Sequence, residues 1–214
     1  MILKALENGI TIIEYSDAHA ASLADMWNKS HDNWGGDSEV LTERIMIEEH
    51  AASLDINTYL ALDGNGEVIG YCGLAKFLFD PDALYIRLLN VRPDYMGKGV
   101  GKALVLLSVE RTIELGNPRL DIYTWSGNTE AVPLYKKCGY LWEDRPSTTH
   151  LVNFIPTVLA TPCFKDFFAS ADWYSDSTRE IEIKPDGVKL NKFEVFGYSW
   201  GKDGRRLAVG FERS

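Results

Sequence analysis

Between Arg92 and Lys102 the chain reads RPDYMGKGVGK, with three glycines on alternate positions, Gly97, Gly99 and Gly101, among three cations, Arg92, Lys98 and Lys102. Glycine on every second position removes the side chains that would hold a ligand away from the backbone. The stretch joins an apolar run of strand character, Ala83 to Val91, to one of helix character, Ala103 to Leu115. Free N–H groups at a helix start, with the positive end of the helix dipole behind them, form an anion site. The segment is a candidate cradle for a diphosphate. A glycine-rich solvated turn is the plainer alternative.

Spacing separates the known kinds of cradle. A Walker A loop needs four residues between its first glycine and the Gly-Lys pair, then Ser or Thr for magnesium. Gly97 and Gly101 have three between them, and Ala103 follows Lys102, so that pattern fails twice. A dinucleotide fingerprint needs G-x-G-x-x-G directly after the strand. Here the order is G-x-G-x-G after a six-residue lead-in, although Asp121 stands where a ribose carboxylate would be sought.

A third pattern fits. Leu89-Asn90-Val91-Arg92-Pro93 followed by Met96-Gly97-Lys98-Gly99-Val100-Gly101 resembles the acyl-CoA pyrophosphate loop of the GNAT N-acetyltransferase superfamily. Met96 departs from the family's Gln or Arg and loses one side-chain contact. Downstream, Asn128-Thr129-Glu130-Ala131-Val132-Pro133-Leu134-Tyr135-Lys136-Lys137-Cys138-Gly139-Tyr140 resembles the family's closing Asn-x-x-Ala-x-x-Leu-Tyr-x-x-x-Gly-Phe/Tyr motif. Two motifs in the right order outweigh the solvated turn. The resemblance covers roughly residues 10 to 145.

It implies an N-acetyltransferase with acetyl-CoA as cosubstrate, acting on the primary amine of a small molecule or peptide. The strand main chain at Leu89 and Val91 would hold the thioester arm. The diphosphate would lie on the amides of Met96, Gly97, Lys98, Gly99, Val100, Gly101 and Lys102, and bulk at Gly99 or Gly101 is expected to block it. Tyr135 would be the general acid: a phenol of pKa about 10 protonates a thiolate of about 8.5 at a cost near 2 kcal/mol. Without the motif, Tyr135 reads as a core residue. Asn128 is either a helix N-cap or a pantetheine contact. No base is assigned: the strand Ala83–Val91 has no carboxylate, offering only Tyr85 and Arg87. A water chain, or Glu43, Glu48 or Glu49 of the acidic second helix, would have to serve. The alternative function is a non-catalytic acyl-CoA-binding or interaction module on the same fold. Met96 and the missing strand carboxylate favour it, and Tyr135 favours the enzyme.

The elements that must position these residues follow from periodicity and turn chemistry. Ile10–Tyr15 reads as a strand, and Asp17 as the cap of a helix to Lys29 with Ala20, Leu23, Met26 and Trp27 on one side. After Trp34-Gly35-Gly36, a second helix is expected from a cap at Asp37 or Ser38 to about Ala52. Asp63-Gly64-Asn65-Gly66 between two apolar runs predicts a hairpin. Gly116-Asn117-Pro118 stops the helix that the glycines open. Arg119–Trp125 is a strand, a short helix runs to Gly139, and Tyr140–Glu143 with Thr148–Phe154 close the sheet. The fold class is α/β (α+β): a mixed, mostly antiparallel sheet flanked by helices, in the GNAT order.

The tail differs. A short helix within Pro156–Ala169 is followed by three alternating runs, Arg179–Lys184, Lys192–Trp200 and Leu207–Arg213. Turns at Pro185-Asp186-Gly187 and Lys202-Asp203-Gly204 join them into an antiparallel meander rich in Trp and Phe. The chain thus divides into an acetyltransferase-like part, 1–150, and an appendage, 151–214. Three strands are marginal alone, so the meander is expected to pack on the first part, on a homodimer partner, or on a further domain of a longer protein.

Composition bounds the rest. The chain has 214 residues, 45% of them hydrophobic, enough for one good core. Apolar runs are far shorter than a membrane span, and the N-terminus makes a poor signal peptide. Cys72, Cys138 and Cys163 lack metal-ligand spacing, so no metal is expected, and reduced thiols suit a cytoplasmic protein. Residues 1–146 carry 13 Lys+Arg against 22 Asp+Glu, which argues against nucleic acid. The cationic glycine loop is an island in that field. Residues 1–50 hold ten acids against Lys4, Lys29 and Arg44, which predicts a cationic acceptor; a merely solvated acidic face is the alternative.

Overall fold

A parallel strand pairing that lasts only four residues gives the fold its opening. The computed structural model describes residues 1–30, 39–124, 128, 131–143, 149–160, 162, 166, 178–190, 193–202 and 205–210. Strands β1 (Ile2–Ala5), β2 (Thr11–Glu14), β3 (Asp55–Leu62), β4 (Val68–Lys76), β5 (Ala83–Val91), β6 (Arg119–Thr124), β7 (Leu141–Glu143) and β8 (Thr149–Asn153) form one sheet. Their order is β1-β2-β3-β4-β5-β6-β8-β7. Every neighbouring pair is antiparallel except β5 with β6. This is the mixed, mostly antiparallel sheet expected, with β1 added. Leu3 and Lys4 carry no clear period, and pairing with β2 decides their conformation.

Helices cover both faces. On one, α1 (Ala20–Asn28) and α2 (Glu43–Ala52) bury Leu23, Met26 and Met46 against Leu60, Val68 and Tyr71. On the other, α3 (Val100–Glu114), α4 (Ala131–Lys137) and α5 (Ile155–Ala160) close the larger core around Leu104, Ile86, Leu120 and Val158. Gly70 on β4 lets α3 approach: a Cβ there would sit 2.9 Å from Val100 Cγ1 and 3.1 Å from Leu104 Cδ1. The start of α3 is thereby laid directly on the sheet.

Helix starts differ from the sequence reading. Asp17 lies inside a 3-10 turn, Asp17–His19, that leads into α1. Helix α2 begins only at Glu43, with Thr42 as cap: its Oγ1 accepts the Ile45 N–H at 3.4 Å. Trp34, Gly35, Gly36, Asp37 and Ser38 lie outside the described residues. Just before that start, the Asn28 side chain accepts from Leu41 N and donates to Leu41 O, both at 2.9 Å. That pair ties Leu41 to the end of α1. Pro133 falls at the third position of α4, near its start, where proline is best tolerated.

Strands β9 (Thr178–Leu190), β10 (Phe193–Lys202) and β11 (Arg205–Gly210) form a separate antiparallel sheet in the order β11-β10-β9. The expected turn at Pro185-Asp186-Gly187 is instead an interruption inside β9. Partners of β10 jump from Ile183 to Lys189 across it, and pairing resumes to Phe193↔Leu190. Proline has no N–H for the ladder, so the strand leaves its partner there. The pair Lys202↔Arg205 brackets the second expected turn, whose Asp203 and Gly204 lie outside the described residues, as do Cys163, Trp173 and Tyr174. Strand β8 and helix α5 both belong to the larger body, which therefore continues past residue 150.

Candidate active site

Strands β5 and β6 pair in parallel only from Ala83↔Arg119 to Ile86↔Ile122. Beyond that point β5 continues along β4 as far as Gly70↔Val91, while β6 follows β8 to Thr124↔Thr149. The two strands part, and the β6-facing edge of Arg87–Val91 is left without a sheet partner among the described residues. A register shift marks the place: Gly73 pairs with Leu88 and Leu74 with Ile86, so Arg87 bulges from the ladder. Bulges bend a strand and re-aim its side chains. The gap opens at the carboxyl ends of the two parallel strands, where open sheets receive ligands.

The glycine loop lies at the same end. Gly97 and Gly99 have positive φ, 75° and 84°, and a Cβ on either would meet nothing within 4 Å. Their missing side chains leave open space beside the first turn of α3. Gly99 caps that helix, and Ala103 N–H is bound to Gly99 O at 3.0 Å. The amides of Val100 and Gly101 precede the first intrahelical donor, Ala103 N–H, and so fall outside the helix's own ladder. An open helix start without side chains at Gly97 and Gly99, with Lys98 and Lys102 beside it in sequence, fits a diphosphate.

Individual residues depart from expectation. Gly101 does not face the cradle: a Cβ there would lie 3.1 Å from Leu134 Cδ2 and 3.6 Å from Val91 Cγ2, so this glycine serves packing. Val100 is buried and can offer only its amide, and Met96 is exposed. Arg92 is not part of the cationic island. Its guanidinium is buried and binds Asp94 at 2.8 and 3.1 Å and Glu67 at 3.2 Å. That bond to Arg92 holds the Asp94 carboxyl below its ordinary range. Lys98 stands over the Tyr95 ring, 4.3 Å from its centroid, and its carbonyl accepts from Asn8.

Helix α4 brings the second motif to the first. Leu134 lies against Gly101, and the next residue, Tyr135, is buried. Burial pushes the Tyr135 phenol well above its ordinary pKa, and Cys72, Cys138 and Tyr85 add to the effect. The phenol is therefore a proton donor at any ordinary pH. Cys72 is likewise raised to about 12 by burial, so its thiol stays protonated. Asn128 takes the capping role: its Oδ1 accepts Ala131 N–H at 3.0 Å, and its Nδ2 donates to Thr124 at 2.8 Å. Those bonds make the side chain a brace between β6 and α4. Asp121 is buried between Arg119 and His150, far from a ribose role.

On the opposite side of β5, a cleft of about 600 Å³ runs between α1, α2 and the sheet. Tyr15, Trp27, Leu41, Met46, Tyr71 and Leu88 give it apolar and aromatic walls; Glu49, His50, Ser53 and Arg87 are its polar groups. Arg87 and Leu88 belong both to this cleft and to the strand edge where β5 leaves β6. Sequence reasoning missed His50 and Arg87. His50 follows Glu49 directly, and its ring lies tilted against Tyr15 with centroids 3.8 Å apart. Of the three acids proposed as bases, Glu48 pairs with Arg44 at 2.7 Å and Glu43 sits exposed in the first turn, while Glu49 lines the cleft. Among the described residues no cluster of His, Cys, Asp and Glu is arranged to hold a metal ion.

The profile of the acetyltransferase (GNAT) family matches residues 21–140, which include the parting strands, the glycine loop and α4. The chain belongs to the GNAT acetyltransferase family. Among curated proteins, it is 32% identical over 84 residues to a mycothiol acetyltransferase of Pseudarthrobacter chlorophenolicus. That match takes in 38% of this chain and 26% of the relative, so the chain spans about a quarter of that relative's length. Solved structures agree in fold. The ribosomal-protein-S5-alanine acetyltransferase of Vibrio fischeri superimposes with a TM-score of 0.60 at 13% identity, over 71% of this chain and 95% of that one. The PaiA N-acetyltransferase of Thermoplasma acidophilum, in complex with coenzyme A, gives 0.54 at 19% identity, over 68% of this chain and 98% of its own. Among the described residues, no helix of this GNAT chain is long and apolar enough to cross a membrane.

Proposed function

We propose that this GNAT chain is an N-acetyltransferase that carries the acetyl group of acetyl-CoA to the primary amine of a small molecule or peptide with an apolar or aromatic body. One observation carries the reading: the cleft on the α1–α2 side reaches β5 at Arg87 and Leu88, where the strand edge opposite is free. A cosubstrate arm along that edge and an amine in the cleft would meet at one strand, which is the proximity that acyl transfer needs.

When bound, acetyl-CoA supplies a thioester, whose acyl carbon bonds to the amine nitrogen as its bond to sulfur breaks. The first turn of α3, with Gly97, Gly99, Lys98 and Lys102, would hold the diphosphate by amides and charge. The free edge of β5, at Leu89 and Val91, would hold the arm by main-chain hydrogen bonds. Tyr135 would give its proton to the departing sulfur, and its raised pKa makes that step harder than for a solvated phenol. Glu49 and His50, the cleft groups able to accept a proton, would receive the one the amine loses.

The cationic acceptor suggested by the acidic first fifty residues has less support at the cleft itself. Among the described acids of that segment Glu49 lines it, whereas Glu14 binds Asn57, Asp25 pairs with Lys29 and Glu48 with Arg44. An apolar-bodied amine suits the walls better. The test is incubation with acetyl-CoA and a panel of primary amines that varies charge and apolar bulk, reading thiol release and the acetylated product. Thiol release with apolar-bodied amines is expected. No release above buffer with any amine would leave the non-catalytic binding module in its place.

A further inference from the structure

Arg87 is held in the cleft with donors to spare. The guanidinium has five N–H groups. Its Nε donates to Asp55 Oδ1 at 2.9 Å, and its Nη2 donates to Asp55 Oδ2 at 3.2 Å and to the Tyr71 hydroxyl at 3.3 Å. Tyr71 in turn donates to Asp55 Oδ2 at 3.1 Å, and so does Thr58 at 3.2 Å. Asp55 is 1% exposed, while Arg87 is 41% exposed and lines the cleft. Nη1 has no partner among the described residues. Two N–H groups of a rigidly oriented cation therefore remain in a largely apolar and aromatic cleft whose other polar groups are Glu49, His50 and Ser53.

The bulge at Arg87 serves this placement, because a regular ladder would have put residue 87 opposite a partner on β4. Gly73, beside it, leaves the room for this pair: a Cβ there would lie 2.5 Å from Asp55 Oδ2 and force that carboxylate to move. The sequence is built around the Asp55–Arg87 pair, which fixes the planar fork that carboxylates fit.

We propose that the acceptor carries a carboxylate beside its amine and that Arg87 Nη1 binds it, making Arg87 a determinant of substrate choice. This deepens the acetyltransferase reading and rests on it. Arg87 and Leu88 are neighbours on β5, so a carboxylate on the guanidinium would leave a nearby amine next to the free strand edge. The aromatic walls of Trp27, Tyr71 and Tyr15 would take the apolar body. The substrate class is then an amino acid with an apolar or aromatic side chain.

The decisive comparison uses the unmodified chain and three probes that share one body: phenylalanine, phenylalanine amide and phenethylamine. Binding of each is read by calorimetry, which needs no turnover, and acetylation is read by thiol release. Phenylalanine should bind about tenfold to a hundredfold more tightly than the other two, the range of one charge-assisted hydrogen bond. Because Arg87→Gln alone strands a buried carboxylate, the variant is the double change Arg87→Gln with Asp55→Asn, in which the preference should vanish. Equal binding of the three by the unmodified chain, tighter binding of the amide, or no binding of phenylalanine overturns the proposal. So does a preference that survives in a folded double variant. A carboxylate preference in binding with no thiol release would instead refute the transferase reading and leave the Arg87 site standing.

Discussion

The Tyr95 phenol donates to Asp63 Oδ2 at 2.9 Å and so fastens the β3–β4 turn to the loop that enters α3. Asp63 Oδ1 accepts from the amides of Asn65 and Glu67 at 2.9 and 3.0 Å. The Arg92 guanidinium and the Lys98 ammonium lie over the Tyr95 ring, 4.7 and 4.3 Å from its centroid. The hairpin turn thus holds the loop that carries Gly97 and Gly99. Preorganisation of that kind improves affinity by reducing the ordering cost of binding.

Tyr95→Phe should lower the affinity for CoA several-fold while leaving the rate of transfer at saturating CoA nearly unchanged. The measurement is a CoA titration beside a saturation curve. A fall in turnover with unchanged affinity would mean that Tyr95 does not shape the cradle.

Asp63 also predicts a pH dependence. Burial alone would raise its pKa, but the Asn65 and Glu67 amides, Tyr95 and Arg92 outweigh it and hold the carboxyl below its ordinary value. A carboxylate depressed in the folded state stabilises the fold above its unfolded pKa of about 4 and loses that contribution as pH falls through the lower native value. Urea midpoints of Asp63→Asn should therefore lie below those of the unmodified chain near neutrality, and the two should converge below about pH 4. Parallel curves down to strong acid would contradict this.

Tyr135→Phe should reduce turnover by about 10² to 10⁴, the usual range for a lost general acid, with CoA affinity nearly intact. Because burial raises the phenol's pKa, no loss of activity from Tyr135 ionisation should appear on the alkaline side up to about pH 10. Full activity in the variant would return Tyr135 to the core.

Two glycines that look alike in sequence should behave differently. Gly101→Val pushes a side chain into Leu134, an overpacking that costs about 1–3 kcal/mol, and moves the helix that carries Tyr135. Gly99→Val meets open space and bears only the strain of its positive φ, about 1–2 kcal/mol. Thermal melts should show both costs, with turnover at saturating CoA impaired in Gly101→Val and nearly kept in Gly99→Val.

Much of this was legible from local pattern. The glycine spacing gave the loop and the start of α3, the Asn128 to Tyr140 motif gave the short helix, and Asp63-Gly64-Asn65-Gly66 gave the hairpin, because each depends on residues within a dozen positions. What escaped depends on distant pairing. The parting of β5 from β6 is set by ladders to residues 119–122 on one side and 70–76 on the other. Arg87 looked like an uninformative strand residue until Asp55, 32 positions earlier, was found to hold it. The neutralisation of Arg92 was half visible, since Asp94 lies two residues on, but Glu67 was not. Helix α2 starts late, at the Thr42 cap, just after Leu41 is gripped by Asn28 across 13 positions, a distant contact that local pattern does not show.

The buried Arg119 shows the same limit in energetic form. It lies 1% exposed between Asp80 at 2.9 Å and Asp121 at 2.6 Å, and His150 shares Asp121 Oδ2 with it at 2.9 Å. Arg119→Met should destabilise the fold by about 3–5 kcal/mol, because it leaves buried carboxylates without their partner. Denaturant unfolding checks the size. A loss below about 1 kcal/mol would mean that the cluster relaxes into water.

Calorimetric titration of CoA into the unmodified chain, Gly99→Val and Tyr135→Phe tests the cosubstrate site most directly. One site per chain is expected, with affinity about tenfold or more weaker in Gly99→Val, whose new side chain would fill the space beside the α3 amides. Tyr135→Phe should bind as the unmodified chain does. Unchanged affinity in a folded Gly99→Val, or no binding of CoA by the unmodified chain, would contradict a diphosphate cradle at the start of α3.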